Sequence, residues 1–537
     1  MYNNGVGSWL ERRRPKSGSN TALIAGERSI SYAELAERTD RLAQALRRRG
    51  VARGDRVAYL GENDPAFVET FFACGLLGAV FVPLNTRLAA PELQFQLDDA
   101  GVRLLVASAR LDALAAAAVE GTGVQRRLIV ADAGVNDGGA APSAEVSPAV
   151  AGGNTGGGAA ATEVGPAVER YEEALLAAPA EPIDESVNLD EGAMILYTSG
   201  TTGRPKGALL THGNLTWNCY NVLVDTDLSS TDVALMISPL FHVASLDMGL
   251  LPILLKGGTA VLEQKFEPGR SLELIERHRV TTLNGVPTTF QMLAEHPAWA
   301  TTDLASLTKL TCGGSAIPAT VLAAYDARGI EFANNYGMTE TAPGATTLPR
   351  GRSRDKLGSA GLPHFFTDIR IVDPIGEVLA AGEVGEIQIS GPNVIKQYWN
   401  RSDATRDSYA DGIWFKSGDM GYRDDEGFLY VSDRLKDMII SGGENVYPAE
   451  VEAVIVELPQ IASVAVIGVP DEKWGEVPRA IVTLREGAEL TGDDVRAHLD
   501  GRLARYKIPK SVVFVEEMPR TASGKIRKAD LRRQYAT

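Results

Sequence analysis

The sequence predicts an α/β protein of two or three domains. A large N-terminal domain of α/β layers is followed by a β-rich subdomain and then by a small α+β domain at the C-terminal end. Three observations carry this reading. Helical and strand periods alternate over residues 20–110 and again over 194–330, the βαβ rhythm of a mostly parallel sheet covered by helices. From Thr367 onward polar and apolar residues alternate instead, as they do in half-exposed strands. The chain of 537 residues is also too long for one core.

Ser31 precedes a helical period over 32–49, with Glu34 three residues on as in a capping box. Residues 56–60 form a short buried strand, 65–77 a helix and 79–83 the next strand. Residues 133–166 are rich in Gly and Ala and cannot bury enough apolar surface to offset their ordering entropy. They are expected to form a flexible surface insertion without chemistry. Asp368-Ile-Arg-Ile-Val372 and Gly385-Glu-Ile-Gln-Ile-Ser390 alternate as strands. The last hundred residues have their own strands (464–468, 480–484, 512–515) and helices (448–456, 493–504), enough for a separate domain. The expected division is 1–433, a connector at 434–436, and 437–537.

Apolar residues make up 44% and charged residues 23% of the chain, the profile of a soluble globular protein. A net charge of −16 argues against nucleic acid as a partner. Cys74, Cys219 and Cys312 are too scattered for a metal site or disulfide framework, and read as buried small side chains of a cytoplasmic protein. Arg12–Arg14 are not followed by an apolar run, so no secretory signal is read. The apolar run 71–84 is too short to span a membrane, and peripheral membrane contact stays open. Oligomeric state is not legible.

The richest stretch is Tyr197-Thr-Ser-Gly-Thr-Thr-Gly-Arg-Pro-Lys-Gly207. Gly200, Gly203 and Gly207 let backbone approach a ligand closely. Thr198, Ser199, Thr201 and Thr202 offer hydroxyls, Lys206 a positive charge, and the backbone amides an anion-binding concavity. The Walker spacing is absent. The competing reading is an ordinary Gly/Thr-rich hairpin turn.

This stretch resembles the phosphate loop of the adenylate-forming superfamily: acyl-CoA synthetases, nonribosomal adenylation domains and beetle luciferases. Further signatures appear in order along nearly the whole chain, most similar to actinobacterial fatty-acid:CoA ligases. The resemblance implies a small mobile C-terminal lid over a site between the domains, with ATP, Mg²⁺ and coenzyme A as the small molecules used. In Tyr336-Gly-Met-Thr-Glu340, it implies that Tyr336 stacks on adenine, Thr339 contacts the α-phosphate and Glu340 holds Mg²⁺, with Thr201 a second metal contact. Asn335 stands where many relatives carry Gly. Gly313, Asn334 and Gly337 are further implied nucleotide contacts. Asp419 and Arg434 are implied at the ribose, and Lys525, in Arg520-Thr-Ala-Ser-Gly-Lys525, at the carboxylate and α-phosphate. Lys436 matches the hinge. Ser441, Gly442 and Gly443 match a loop lining the channel for the pantetheine arm of CoA.

For the acid, Pro239-Leu-Phe-His-Val243 matches a motif that gates the acyl pocket through His242. Amino-acid-activating relatives carry Asp at that position, although Asp247 is near. Gly337 stands where acetate-specific relatives carry Trp, and with Gly313 and Gly314 is expected to leave the acyl pocket open. The implied activity is ATP-dependent acid:CoA ligation. A medium- or long-chain fatty acid is the first reading. An aryl or cinnamate-type acid is the second, and loading of a carrier protein is a third. A luciferase-like oxygenase and a non-enzymatic nucleotide-binding module are the remaining rivals.

Overall fold

The computed structural model describes residues 3–131, 166–198, 205–314, 317–434, 437–441, 444–471, 474–500, 502–503, 505–521 and 524–536. The Gly/Ala-rich stretch expected to be a flexible insertion falls almost wholly outside them.

Two large sheets, of eight and nine strands, form the N-terminal α/β layers. One apolar core joins them, running from Phe81, Leu104 and Met194 of the first sheet to Leu23, Met236 and Leu262 of the second. The helix Pro65–Leu77 lies in this core with every residue buried, which its all-round apolar sequence requires. Local chemistry sets its ends. The Asp64 carboxylate accepts from the Ala66 amide at 2.8 Å, Pro65 takes the first turn, and Gly78 stops the helix at φ +64°. Its single carboxylate, Glu69, pairs with Arg38 at 2.6 Å and accepts from the Tyr171 hydroxyl at 2.7 Å. The helix Tyr32–Arg48 begins as expected, with Ser31 accepting from the Glu34 amide, while the Glu34 carboxylate pairs with Arg28.

The helix His212–Thr226 stitches these layers to the segment 344–394. Asn214, Asn218, Asn221 and Asp225 recur at helical spacing on one face. Asn214 donates to the carbonyls of Pro392 and Val394. Asn218 accepts from Gly344 N, and Asn221 accepts from Phe366 N. Asp225 pairs with His364.

The β-rich subdomain is a five-stranded antiparallel sheet built on Asp368–Val372, Gly385–Ser390 and Trp414–Arg423, with Leu429–Arg434 paired to the last. The sheet changes after Arg434. Ile439–Ser441 belongs to a separate five-stranded sheet with Ile461–Asp471, Gly475–Leu484 and Ser511–Phe514. Its strands alternate between two cores: Val466 and Val482 pack on one face, Ala465, Ile467 and Ile481 on the other. The molecule is thus a large α/β domain with a β-rich subdomain and a small α+β C-terminal unit. All three cysteines are buried and unpaired as disulfides. Among the described residues no helix is long and apolar enough to cross a membrane.

Candidate active site

Strands Lys309–Gly313 and Phe332–Tyr336 run parallel, with Gly313 opposite Asn335. Their C-terminal ends open where ligands bind in α/β sheets. Gly313 has room beside it, since a Cβ there would meet only the Asn335 carbonyl, at 3.5 Å. Asn334 donates to the Ser359 carbonyl at 2.8 Å, and Asn335 accepts from Thr347 at 2.8 Å. The other amide atoms, Asn334 Oδ1 and Asn335 Nδ2, are buried without a partner among the described residues. Buried polar atoms are normally paired, so these two suit a polar ligand.

The strands Gly192–Thr198 and Lys206–Thr211 form an antiparallel hairpin with Thr198 opposite Lys206. The strands flanking the stretch thus pair as those of a hairpin do. Ser199, Gly200, Thr201, Thr202 and Gly203 lie outside the described residues. The foot of the loop is firmly held: Tyr197 donates to Asp99 Oδ2 at 2.6 Å, and Trp399 Nε1 to the Asp99 carbonyl at 3.0 Å.

From that foot a chain of contacts leads to the implied metal carboxylate. Lys206 Nζ stands 5.4 Å over the Tyr398 ring, and the Tyr398 hydroxyl donates to Glu340 Oε1 at 2.8 Å. Glu340 lies in the short turn Thr339–Thr341, beside Thr339. Tyr398 was not among the residues singled out from sequence. It arrives because Gln397–Tyr398 adds as a short strand beside Ala208 and Leu209, a pairing of remote segments that no local pattern announces.

Residues expected at the nucleoside also meet. The Tyr336 hydroxyl donates to Asp419 Oδ2 at 2.8 Å, and Asp419 is paired across its sheet with Arg434. Asp419 is buried. Its carboxylate can accept further hydrogen bonds at remaining lone pairs.

Lys525 reaches the same cleft from the C-terminal unit. Its Cε lies 2.8 Å and its Nζ 3.5 Å from where a Cβ on Gly314 would stand. Gly314, at φ +90°, therefore cradles the lysine stem through conformation and absence of a side chain together. Beside it, Gly524 at φ +85° faces Thr288 and Val286. The turn is closed by Thr521 N to the Lys525 carbonyl at 2.7 Å and by Arg520 to the Gly524 carbonyl at 2.8 Å. Arg485 and Glu295, 2.9 Å apart, form a second link between the C-terminal unit and the large domain.

His242 lies within electrostatic reach of this lysine. Burial, then the positive charges of Lys525 and Arg87, lower its imidazole to about 4, so it is neutral near pH 7. Its Nε2 has no partner among the described residues. Asp247 is fully buried, accepts from the Cys219 thiol at 3.2 Å, and is pushed well above the usual carboxylate range by burial.

Gly337 departs from expectation. A Cβ there would stand 1.6 Å from the Pro343 carbonyl oxygen and 3.0 Å from Ala345 N. The chain folds back after Thr341, and Ala345 N donates to the Tyr336 carbonyl. Backbone therefore fills the direction a side chain would take, and Gly337 serves close packing rather than opening an acyl pocket. Ser441 is buried in the C-terminal sheet opposite Gly475. Lys436, Gly442 and Gly443 lie outside the described residues, as does the side chain of Arg434.

Comparison with known proteins gives the family. Residues 10–399 match the model of the AMP-binding enzyme family and residues 450–525 that of the AMP-binding enzyme C-terminal domain. The chain is 48% identical to a feruloyl-CoA synthase of Amycolatopsis sp, over 100% of both chains. It is 41% identical to an indoleacetate–CoA ligase of Aromatoleum aromaticum, over 99% of this chain and 98% of the relative. Among solved structures it resembles a Mycobacterium tuberculosis fatty acyl CoA synthetase, with a TM-score of 0.76 and 34% identity, covering 99% and 98% of the two chains. The protein belongs to the AMP-binding enzyme family, within the adenylate-forming superfamily, and is an ATP-dependent, AMP-forming acid:CoA ligase.

Proposed function

We propose that the acid is aromatic, of the hydroxycinnamate type, and that this enzyme converts it with ATP to an aryl-adenylate and then to the CoA thioester. The sequence alone put a fatty acid first. The end-to-end likeness to a feruloyl-CoA synthase at 48% identity, together with that to an indoleacetate ligase at 41%, favours the aryl alternative.

In the first half-reaction a carboxylate oxygen of the acid attacks the α-phosphorus, and the bond to the pyrophosphate oxygen breaks. Lys525, beside Gly314, is suited to neutralise the crowded carboxylate and phosphate oxygens. This placement is the observation that carries the mechanism. Glu340 and Thr201 would hold Mg²⁺, which would supply further neutralisation of phosphate charge. The loop from Thr198 to Lys206 holds the phosphates, and Tyr336, Asn334, Asp419 and Arg434 hold the adenosine. Thr339 reaches the α-phosphate.

In the second half-reaction the thiol sulfur of CoA attacks the acyl carbon and AMP leaves. Lys525 occupies the cleft in the present arrangement. We infer that residues 437–537 act as a lid that swings about 434–436, withdrawing Lys525 and bringing Ser441, Gly442 and Gly443 to the pantetheine channel. His242 is neutral and stands between acyl and thiol paths.

The test is pyrophosphate release across ferulate, 4-coumarate, cinnamate, indoleacetate, octanoate and palmitate, each with and without CoA. A kcat/KM for hydroxycinnamates above that for the fatty acids is expected. Preference for octanoate or palmitate would reverse the substrate assignment. Acyl-AMP accumulation without thioester on adding CoA would point to a carrier-protein acceptor.

A further inference from the structure

We propose that Asp99 is a positioning residue for ATP: by gripping Tyr197 and Trp399 at once, it fixes the point from which Thr198 and Lys206 reach the polyphosphate. The inference rests on the reading of Thr198 to Lys206 as the phosphate-binding stretch. It concerns two residues, Asp99 and Trp399, that lie outside the motifs announcing the enzyme.

Asp99 stands where local energetics disfavour it. It lies beside Asp98 in the last turn of the helix Ala90–Ala100, and that turn carries no basic residue. The helix dipole favours cations at this end and disfavours carboxylates. Departures from a local rule concentrate at functional sites and are compensated elsewhere, and here the compensating contacts come from remote segments. The Asp99 carboxylate accepts from the Tyr197 hydroxyl at 2.6 Å. Its carbonyl accepts from Trp399 Nε1 at 3.0 Å and from Asn400 Nδ2 at 3.2 Å. Arg56 brings positive charge to the same helix end. Its guanidinium donates to the Ala100 carbonyl at 2.6 Å and the Gly101 carbonyl at 2.8 Å, and lies 5.5 Å over the Trp399 ring.

These contacts close a ring around one rung of the hairpin. Tyr197 is paired opposite Gly207, one rung before Thr198 and Lys206. The Gly207 carbonyl accepts from Trp399 N at 2.7 Å. The side chain of Asp99 thus holds the entry strand, and its backbone holds the exit strand through Trp399. Gly207 permits the closure. A Cβ there would stand 3.4 Å from Tyr197 Cζ, 3.3 Å from Trp399 Cβ and 2.7 Å from Ile195 Cγ2. The ring also leads to the implied metal carboxylate, because Trp399 adjoins Tyr398, whose hydroxyl donates to Glu340 and whose ring lies under Lys206.

Strand ends open at low cost unless they are tied down. Binding a polyphosphate needs the Thr198 hydroxyl and the Lys206 ammonium at fixed places, and such precision depends on surrounding hydrogen bonds that lock the contacting groups. Asp99 acts through Tyr197 and Trp399, so its effect belongs to ATP binding and adenylation, not to thioester formation.

The experiment is steady-state pyrophosphate release by the full chain with the best acid of the screen above, varying ATP and then the acid. Thioester formation from synthetic acyl-AMP and CoA is measured alongside. Asp99→Ala and Trp399→Phe should each lower kcat/KM for ATP by about 10- to 100-fold, mainly through KM. The KM for the acid and the thioester step should stay within about twofold of wild type. Asp99→Asn, which keeps an acceptor for the Tyr197 hydroxyl, should recover most of the loss. If Asp99→Ala or Trp399→Phe fails to fold, Tyr197→Phe removes a single hydroxyl and should still lower kcat/KM for ATP by about tenfold. Equal losses for ATP, acid and the thioester step would mean a purely structural role and overturn the proposal. So would an unchanged KM for ATP in Tyr197→Phe. Lys206→Ala separates the two levels of the argument. If it raises the KM for ATP while the Asp99 and Tyr197 variants behave as wild type, the bracing alone is wrong. If it leaves the KM for ATP unchanged, the phosphate-binding reading itself falls, and the proposal with it.

Discussion

Gly314→Ala should damage adenylation far more than thioester formation, because the added methyl strikes Lys525. The new Cβ would lie 2.8 Å from Lys525 Cε, against an ordinary contact of 3.4–4 Å. The lysine must therefore retreat by about 1 Å. A misplacement of that size at a reacting centre costs about 100-fold in rate, or about 2.7 kcal/mol of barrier. The backbone penalty is separate. An alanine at φ +90° is strained by about 1–3 kcal/mol, which appears as a lower melting temperature. Two single-turnover assays divide the effects. Pyrophosphate release from ATP and acid, without CoA, should fall about 100-fold. Thioester formation from synthetic aryl-AMP and CoA should change by no more than about twofold, since in the proposed cycle Lys525 has left the cleft by then. Gly314→Ala should also cost little more in a Lys525→Ala background, because neighbours that act through one group are not additive. Near-normal pyrophosphate release by a less stable Gly314→Ala enzyme would refute the reasoning, as would full additivity with Lys525→Ala.

The same cleft yields three further expected outcomes. Tyr398→Phe deletes the 2.8 Å hydrogen bond to Glu340 and should raise the half-saturating Mg²⁺ concentration by about tenfold, as loss of an outer-shell partner does; an unchanged Mg²⁺ titration would separate Tyr398 from the metal. His242, lowered to about 4 from an ordinary 6.5, takes up its proton in the unfolded chain first as pH falls. Its folded-state penalty is absent above 6.5, grows between 6.5 and 4, and reaches at most about 3 kcal/mol below that. His242→Gln should therefore lose less thermal stability than wild type between pH 7 and pH 4.5, and parallel losses would contradict the burial of a neutral ring. Glu295→Gln removes the 2.9 Å link to Arg485, both partly exposed. Such a pair is worth at most about 1 kcal/mol, so adenylation should fall by less than about fivefold, with the difference disappearing in high salt; a larger loss would give this link a role beyond an exposed ion pair.

What could be read from sequence, and what could not, divides by the distance over which each feature is determined. The helix Pro65–Leu77 was legible because Asp64, Pro65 and Gly78 set its ends within the segment itself. The strands Asp368–Val372 and Gly385–Ser390 were legible from alternation alone. Motifs located Lys525, Glu340 and Asp419, since their spacing along the chain survives whatever the fold does around them. Tyr398 was invisible because its position depends on a two-residue strand joining Ala208 and Leu209 from far along the chain. Gly337 was misread for the same reason. A missing side chain suggests open space when only the motif is seen, and the returning backbone at Pro343 fills that space. The polar face at 214, 218, 221 and 225 is an intermediate case. Its helical period stands in the sequence, yet what each residue binds depends on segments 343–394, which the period does not specify. The meeting of His364 and Asn218 with Gly344 shows this: the helical period places Asn218 on the polar face, but only the fold brings the turn at Gly344 against it.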